Sequence, residues 1–268
     1  MTEDLDARTV AIVLAGGLGT RLREETEFRP KPMVDIGGHP AMWHIMKGLA
    51  HHGITDFIVC VGYKAEVIKD YFLNYEARNN DFTIHLGQQH TVDFHGNHTE
   101  VDWDVTVVDT GHLTPTGGRI HRVRNHAEKY RRSIVVYGDG IANVDIAALL
   151  AHHEEQRTAA TLTIVRPPSR FGLVTVDEKT RRVTGFREKP LLDDWINVGF
   201  FVFEHRVFDY LEPDSVLERK PLERLAADGE LTAFAHDGFW QPMDTYREAT
   251  LLNELWDSED APWKVWSD

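Results

Sequence analysis

The chain has 268 residues and carries 29 lysines and arginines against 43 aspartates and glutamates, a net charge of −14 with histidine neutral. That acidity argues against a nucleic-acid binder, which needs a broad basic footprint, and the single cysteine, Cys60, excludes intrachain disulfides and multi-thiolate metal sites. No apolar run approaches the ~20 residues of a membrane helix, and the acidic opening MTEDLDART lacks the features of a signal peptide, so a soluble cytoplasmic protein is expected.

Residues 9–15, TVAIVLA, are almost wholly apolar and end at Gly16 and Gly17, as a central strand of a parallel sheet does when both faces are covered. PAMWHIMKGLAHHG then sets Met42, Ile45, Met46 and Leu49 at helical spacing and stops at Gly53. DFIVCVGY predicts a second buried strand and AEVIKDYFLNY a second helix. This succession indicates right-handed βαβ units in an α/β, Rossmann-like, doubly wound sheet. Between about 80 and 108 the pattern turns to alternation in FTIHL and VDWDVTVVDT, which predicts a small additional β region on the sheet. SIVVYGDG, AATLTIVRPP, GLVTVD, VTGFREKP and WINVGFFVF predict further strands, DIAALLAHHEEQ a helix, and TYREATLLNELW a last amphipathic helix. No repeat or flexible linker divides the chain, so a tail, 1–8, and one domain, 9–268, are expected, with any division near residue 166 lying inside one compact unit.

Glycines after a strand can cradle phosphate on bare backbone N–H groups, although they can also serve only a tight turn. Two phosphate patterns are excluded. Leu22 stands where a dinucleotide fingerprint needs its third glycine or alanine, and Gly16 lacks the following G-K-[ST] of a P-loop. What remains is a glycine turn followed by Arg21 and Lys31 as charges for a polyphosphate. Asp139, in VVYGDG, lies at a strand's carboxyl end, where open α/β sheets bind ligands, and could otherwise be a turn residue. The D-x-D pair of nucleotide-sugar glycosyltransferases is missing, because the partner position is Ile141.

LAGGLGTRL followed by RPKPMV resembles the signature of the sugar-1-phosphate nucleotidyltransferases, which have a nucleotidyltransferase (GT-A-like) mixed sheet. PKPMVDIGGHPAMWHIMK, YGDG, RFG, GFREKP, GFFVF, GFWQPMDT and APWKVW extend the likeness to the glucose-1-phosphate cytidylyltransferase branch, over about residues 9–266. The resemblance implies transfer of a cytidylyl group from CTP to glucose 1-phosphate with loss of pyrophosphate, a Mg2+ cofactor and a homo-oligomer. It implies a nucleotide-binding part over about 9–165 and a sugar-binding part over about 166–268. The turn from Leu14 through Ala15, Gly16, Gly17, Leu18, Gly19 and Thr20 would hold the nucleotide with Arg21 and Lys31, helped by Thr114, Thr116, Arg119 and Gly138. Arg21, Lys31 and Asp139 would be catalytic, with Mg2+ on Asp139 and Asp244.

For Asp244 the residues themselves also allow a plain N-cap of the last helix. On the sugar side the resemblance assigns Glu188, Lys189, Asn197 and Gly199, although an exposed Glu–Lys pair is an ordinary surface feature. Val198 departs from the family's usual glycine, and the 111–119 loop carries an untypical proline and histidine. Another base or sugar, or a catalytically silent sugar-nucleotide-binding regulator, remain as alternative readings. Trp256, Trp263 and Trp266 are read as packing or subunit contact.

Overall fold

The computed structural model describes residues 6–20, 22–87, 91–96 and 98–267. Eight strands form one mixed sheet: β1 Asp6–Ala15, β2 Asp56–Val61, β3 Asp104–Asp109, β4 Tyr130–Tyr137, β5 Ala160–Val165, β6 Ile196–Asn197, β7 Phe201–Phe203 and β8 Leu231–Ala235. Across the sheet the order runs β3-β2-β1-β4-β7-β5-β8. β1 to β4 are mutually parallel, with Ala11 opposite Phe57 and Ile134, and Val59 opposite Val107. β5 and β8 are parallel to each other, while β6 and β7 run antiparallel to β5. Each β5 residue has only two edges, and β8 takes one. β6 and β7 therefore share the other, as a single strand interrupted at Val198–Phe200, where Gly199 has φ +87° and Phe200 φ +49°.

The alternation of side chains explains why TVAIVLA is apolar at every position. Ala11, Val13 and Ala15 enter the core on one face, and Val10, Ile12 and Leu14 the core on the other. The first face is covered by helices α1 Ala41–His51, α2 Ala65–Leu73, α4 Ile146–Gln156 and α6 Tyr246–Asp257, the second by α3 Thr116–Arg122 and α5 Lys220–Ala227. Met42, Ile45, Met46 and Leu49 form the buried stripe of α1, which gives way to Gly53 at φ +80°. No helix of the described residues is long and apolar enough to cross a membrane.

The tryptophans do pack. Trp263 and Trp266 are buried in the first core, and Trp263 Nε1–H donates to His44 Nδ1 at 3.3 Å. His44 Nε2–H donates in turn to the Ile36 carbonyl at 2.8 Å, so the neutral imidazole satisfies both partners. Burial pulls the pKa of His44 down to about 4.

Two expectations are corrected. VDWDVTVVDT is not part of the outlying β region: its β3 pairs in parallel with β2 at the edge of the main sheet. Of that region the hairpin Asp81–His85/Thr91–His95 stands apart from the main sheet, as does a second hairpin, Leu173–Val176/Val183–Arg187, in the later half. The N-cap of α6 is Thr245, not Asp244. Its hydroxyl accepts from the Glu248 N–H while Glu248 Oε2 accepts from the Thr245 N–H, which makes a capping box one residue further on. The Asp244 N–H also donates to Glu248 Oε2, at 2.7 Å.

Candidate active site

Because β1 to β4 run parallel, their carboxyl ends meet along one edge of the sheet, where the chain leaves each strand. A cavity of about 450 Å3 opens there, lined among others by Gly16, Gly17, Lys31, Arg119, Asp139 and Asp244.

The three glycines of the turn have three different reasons. Gly17 faces open space, so backbone alone meets whatever enters. Gly19 takes φ +59°, a left-handed conformation that suits glycine. Gly16 makes room for a side chain behind it: a Cβ there would stand 2.0 Å from Arg119 Nη1.

Arg119 is buried, and its guanidinium is spent on the strand ends. Nη1 donates to the carbonyls of Val61 at 3.1 Å and Gly111 at 2.9 Å and to Thr110 Oγ1 at 2.7 Å, while Nη2 donates to the Gly16 carbonyl at 2.8 Å. One planar fork thus ties together the ends of β1, β2 and β3. Arg119 borders the cavity, but its donors are arranged as a brace.

Pro30 and Pro32 flank Lys31 in a short 3₁₀ turn, Lys31–Met33, that buries the lysine. Lys31 Nζ donates to Asp139 Oδ2 at 2.5 Å and to Asp244 Oδ1 at 2.6 Å. Burial alone would pull the lysine pKa down. The attraction of Asp139 and the hydrogen bonds to both carboxylates outweigh it, so Lys31 is held above the ordinary lysine value and stays charged. Residues 108 and 213 positions away from Lys31 thereby converge on one cation. Two hard carboxylate oxygens meeting on a single positive charge also fit a divalent cation, with phosphate and water supplying further ligands. Among the described residues no group of three or more His, Cys, Asp or Glu could hold a metal.

The remaining expected residues divide. Leu14, Gly16, Gly17, Gly19, Thr20, Thr114 and Thr116 line the cavity with Lys31, Arg119, Asp139 and Asp244. Ala15 is instead packed in the core, Leu18 is exposed, and Gly138 presses against Pro32 and the Leu14 carbonyl. Arg21 lies outside the described residues. Glu188, Lys189, Asn197 and Gly199 are not among the residues lining this cavity. Glu188 and Lys189 are exposed side by side, with Lys189 Nζ 4.0 Å from Glu188 Oε1 and Lys189 at φ +42°. Asn197 Oδ1 accepts from the Gly199 N–H at 3.1 Å. Val198, the departure from the family pattern, is buried in the sheet.

Sequence reasoning passed over Pro32, Pro115 and Tyr137, which also line the cavity. Burial and the nearby Glu218 carboxylate hold the Tyr137 phenol well above its usual pKa. It also passed over Thr26 and Tyr63. The Thr26 hydroxyl donates to the Gly19 and Leu22 carbonyls, and the Tyr63 hydroxyl to the Thr26 carbonyl at 2.9 Å, which secures the segment after the glycine turn. Pro32 and Tyr137 flank motif residues in RPKP and YGDG and could have been found from that adjacency.

The profile of the nucleotidyl transferase family matches residues 10–245. Glucose-1-phosphate cytidylyltransferase of Salmonella typhimurium is 48% identical over 258 residues, covering 96% of this chain and 99% of that protein. A probable glucose-1-phosphate cytidylyltransferase of Bacillus subtilis is 40% identical over 266 residues, with 96% and 99% covered. Among solved structures, HddC from Yersinia pseudotuberculosis superposes with a TM-score of 0.67 at 23% identity, over 93% of this chain and all of that one, a likeness of fold. With the glycine turn, the lysine and the two aspartates gathered at one sheet edge, the chain belongs to the nucleotidyl transferase family, on the branch of the glucose-1-phosphate cytidylyltransferases.

Proposed function

We propose that the protein transfers the cytidylyl group of CTP to α-D-glucose 1-phosphate, giving CDP-glucose and pyrophosphate. The observation that carries the chemistry is Lys31 set between Asp139 and Asp244 beside the glycine turn, in a cavity of about 450 Å3. The names of the relatives carry the choice of substrates.

The sugar phosphate is already an anionic nucleophile, so no activating base and no covalent intermediate is required. Its phosphate oxygen attacks the α-phosphorus in line as pyrophosphate leaves on the opposite side. The barrier lies in bringing two polyanions together and in the charge that grows on the leaving group, so catalysis is positioning and electrostatic stabilisation. The bare backbone at Gly17 and Gly19 receives phosphate oxygens, with Arg21 and Lys31 supplying positive charge. Arg119 keeps that backbone in place by holding the Gly16 carbonyl. Asp139 and Asp244 would hold Mg2+, which when bound neutralises phosphate charge.

Glu188, Lys189, Asn197 and Gly199 receive the sugar phosphate, and Thr114 and Thr116 border the nucleoside. The later part of the chain, about 166–268, thus serves the sugar and the earlier part the nucleotide. The same reading takes the protein as cytoplasmic, on its composition, and as a homo-oligomer, on the sequence resemblance. Incubation with glucose 1-phosphate, Mg2+ and each of CTP, UTP, dTTP, ATP and GTP tests it: pyrophosphate release is expected with CTP. No release with any nucleotide would sink the enzyme reading, and preference for another base would sink the cytidylyl part.

A further inference from the structure

Tyr137 forms part of the cavity wall two residues before Asp139, and its partner is a residue without a role so far. The phenol donates to Glu218 Oε1 at 2.5 Å. The second carboxylate oxygen, Oε2, accepts from the Thr116 hydroxyl at 2.7 Å, and that hydroxyl accepts from the Leu217 N–H at 3.0 Å. One carboxylate therefore joins two cavity walls that stand 81 and 102 residues away from it in sequence.

This placement is built into the fold. Leu217 is fully buried and anchors the segment before α5. The Gly118 N–H donates to the Ser215 carbonyl at 2.9 Å. A Cβ at Gly118 would stand 2.3 Å from the Pro213 carbonyl oxygen, and one at Gly117 would stand 2.9 Å from Ser215. The glycine pair of TPTGGR thus lets segment 213–218 lie directly on the start of α3, which brings Glu218 to Thr116 and Tyr137.

The chemistry follows from proton bookkeeping. An ionised carboxylate only accepts, so it takes the hydroxyl protons of both Thr116 and Tyr137. The Tyr137 oxygen can then offer only lone pairs to anything else that approaches. Its ring lies on Gly199, where a Cβ would meet Tyr137 Cδ2 at 2.7 Å, and the Asn197 side chain reaches the same phenol. Asn197 and Gly199 are the residues read as the sugar side.

We propose that Glu218 is a positioning residue for the sugar phosphate. By taking the phenol proton and holding the ring between Thr116 and Gly199, it makes the Tyr137 oxygen a fixed acceptor for a sugar hydroxyl. The assignment rests on the cytidylyltransferase reading.

Glu218→Gln tests it, because an amide has one accepting and one donating end, so one of the two hydroxyls must reverse its proton. With CTP saturating, KM for glucose 1-phosphate should rise about tenfold while kcat stays within about threefold. Tyr137→Phe should give the same split, and Tyr137→Phe/Glu218→Gln should be no worse than Tyr137→Phe alone, since Glu218 acts through the phenol. A merely structural carboxylate would move Tm and leave this split untouched. Wild-type turnover with an unchanged KM in Glu218→Gln, or losses that multiply in the double variant, would overturn the assignment alone. Absence of wild-type turnover would overturn the cytidylyltransferase reading, and the assignment with it.

Discussion

The strand-end site and the two outlying hairpins use the same chain in opposite ways. At the site, polar side chains are buried and cross-linked: Arg119 fastens three strand ends and Lys31 two aspartates that are remote in sequence. In the hairpin Asp81–His85/Thr91–His95 every residue is exposed, and the apolar pair Phe82 and Phe94 touches edge to face across the ladder. Leu173–Val176/Val183–Arg187 is similar, with Val174, Val183 and Phe186 in the open. Geometry at the site is thus over-determined by contacts from several elements, whereas a two-stranded ribbon is held chiefly by its own ladder. Precision is concentrated where charges must be placed.

That contrast can be broken by experiment. Lys31→Ala should give the largest effect, a loss of about two or more decades in pyrophosphate release with the fold retained, because it removes positive charge from the reacting phosphates. Turnover near wild type, measured on folded protein, would contradict it. Gly16→Ala should follow, with kcat/KM falling about ten- to a hundredfold as the new methyl pushes Arg119 off the turn. An unaltered kcat/KM would mean that the brace is dispensable.

Third comes pH. The pKa of His44 in the folded protein, about 4, lies below its ordinary 6.5. Its contribution to stability is therefore complete above about pH 6.5 and lost as pH falls toward 4, a change of roughly 2–3 kcal/mol. Denaturant titrations between pH 7 and 4 should trace this slope, and His44→Met should flatten it by one proton. The smallest effect belongs to the hairpins: Phe82→Ser, at a side chain 45% exposed, should change unfolding free energy by less than about 0.5 kcal/mol. A loss like the ~3–5 kcal/mol expected for Phe57→Ala in the core would show that the hairpin is as firmly packed as the sheet.

Sequence reading recovered the central strands because burial on both faces leaves continuous apolar runs, and it recovered the glycine turn because φ and close approach restrict residue choice. It singled out Lys31 from the glycine turn and Asp139 from its strand end, and reached Asp244 through the family likeness, since no local pattern brings together residues 108 and 213 positions apart. The capping error was avoidable: TYRE spells the Thr-x-x-Glu box that starts α6 at Thr245. Arg119 was a different matter. The family likeness gave it as a nucleotide contact, and only the tertiary fold turns its donors toward the carbonyls of Val61, Gly111 and Gly16. The link from Glu218 to Tyr137 and Thr116 is equally invisible, because it depends on how segment 213–218 seats on two glycines.

The hydrogen bond between Trp263 and His44 also has a meaning in time. Its ends are 219 residues apart, so at the ~5–20 residues per second of protein synthesis, α1 waits roughly 10–45 s for the side chain that completes its core. During that interval the imidazole of His44 and the apolar stripe of α1 lack their final cover. Closure of this core is therefore a late event in the life of the nascent chain, and a stalled ribosome would present the earlier residues with that core still open.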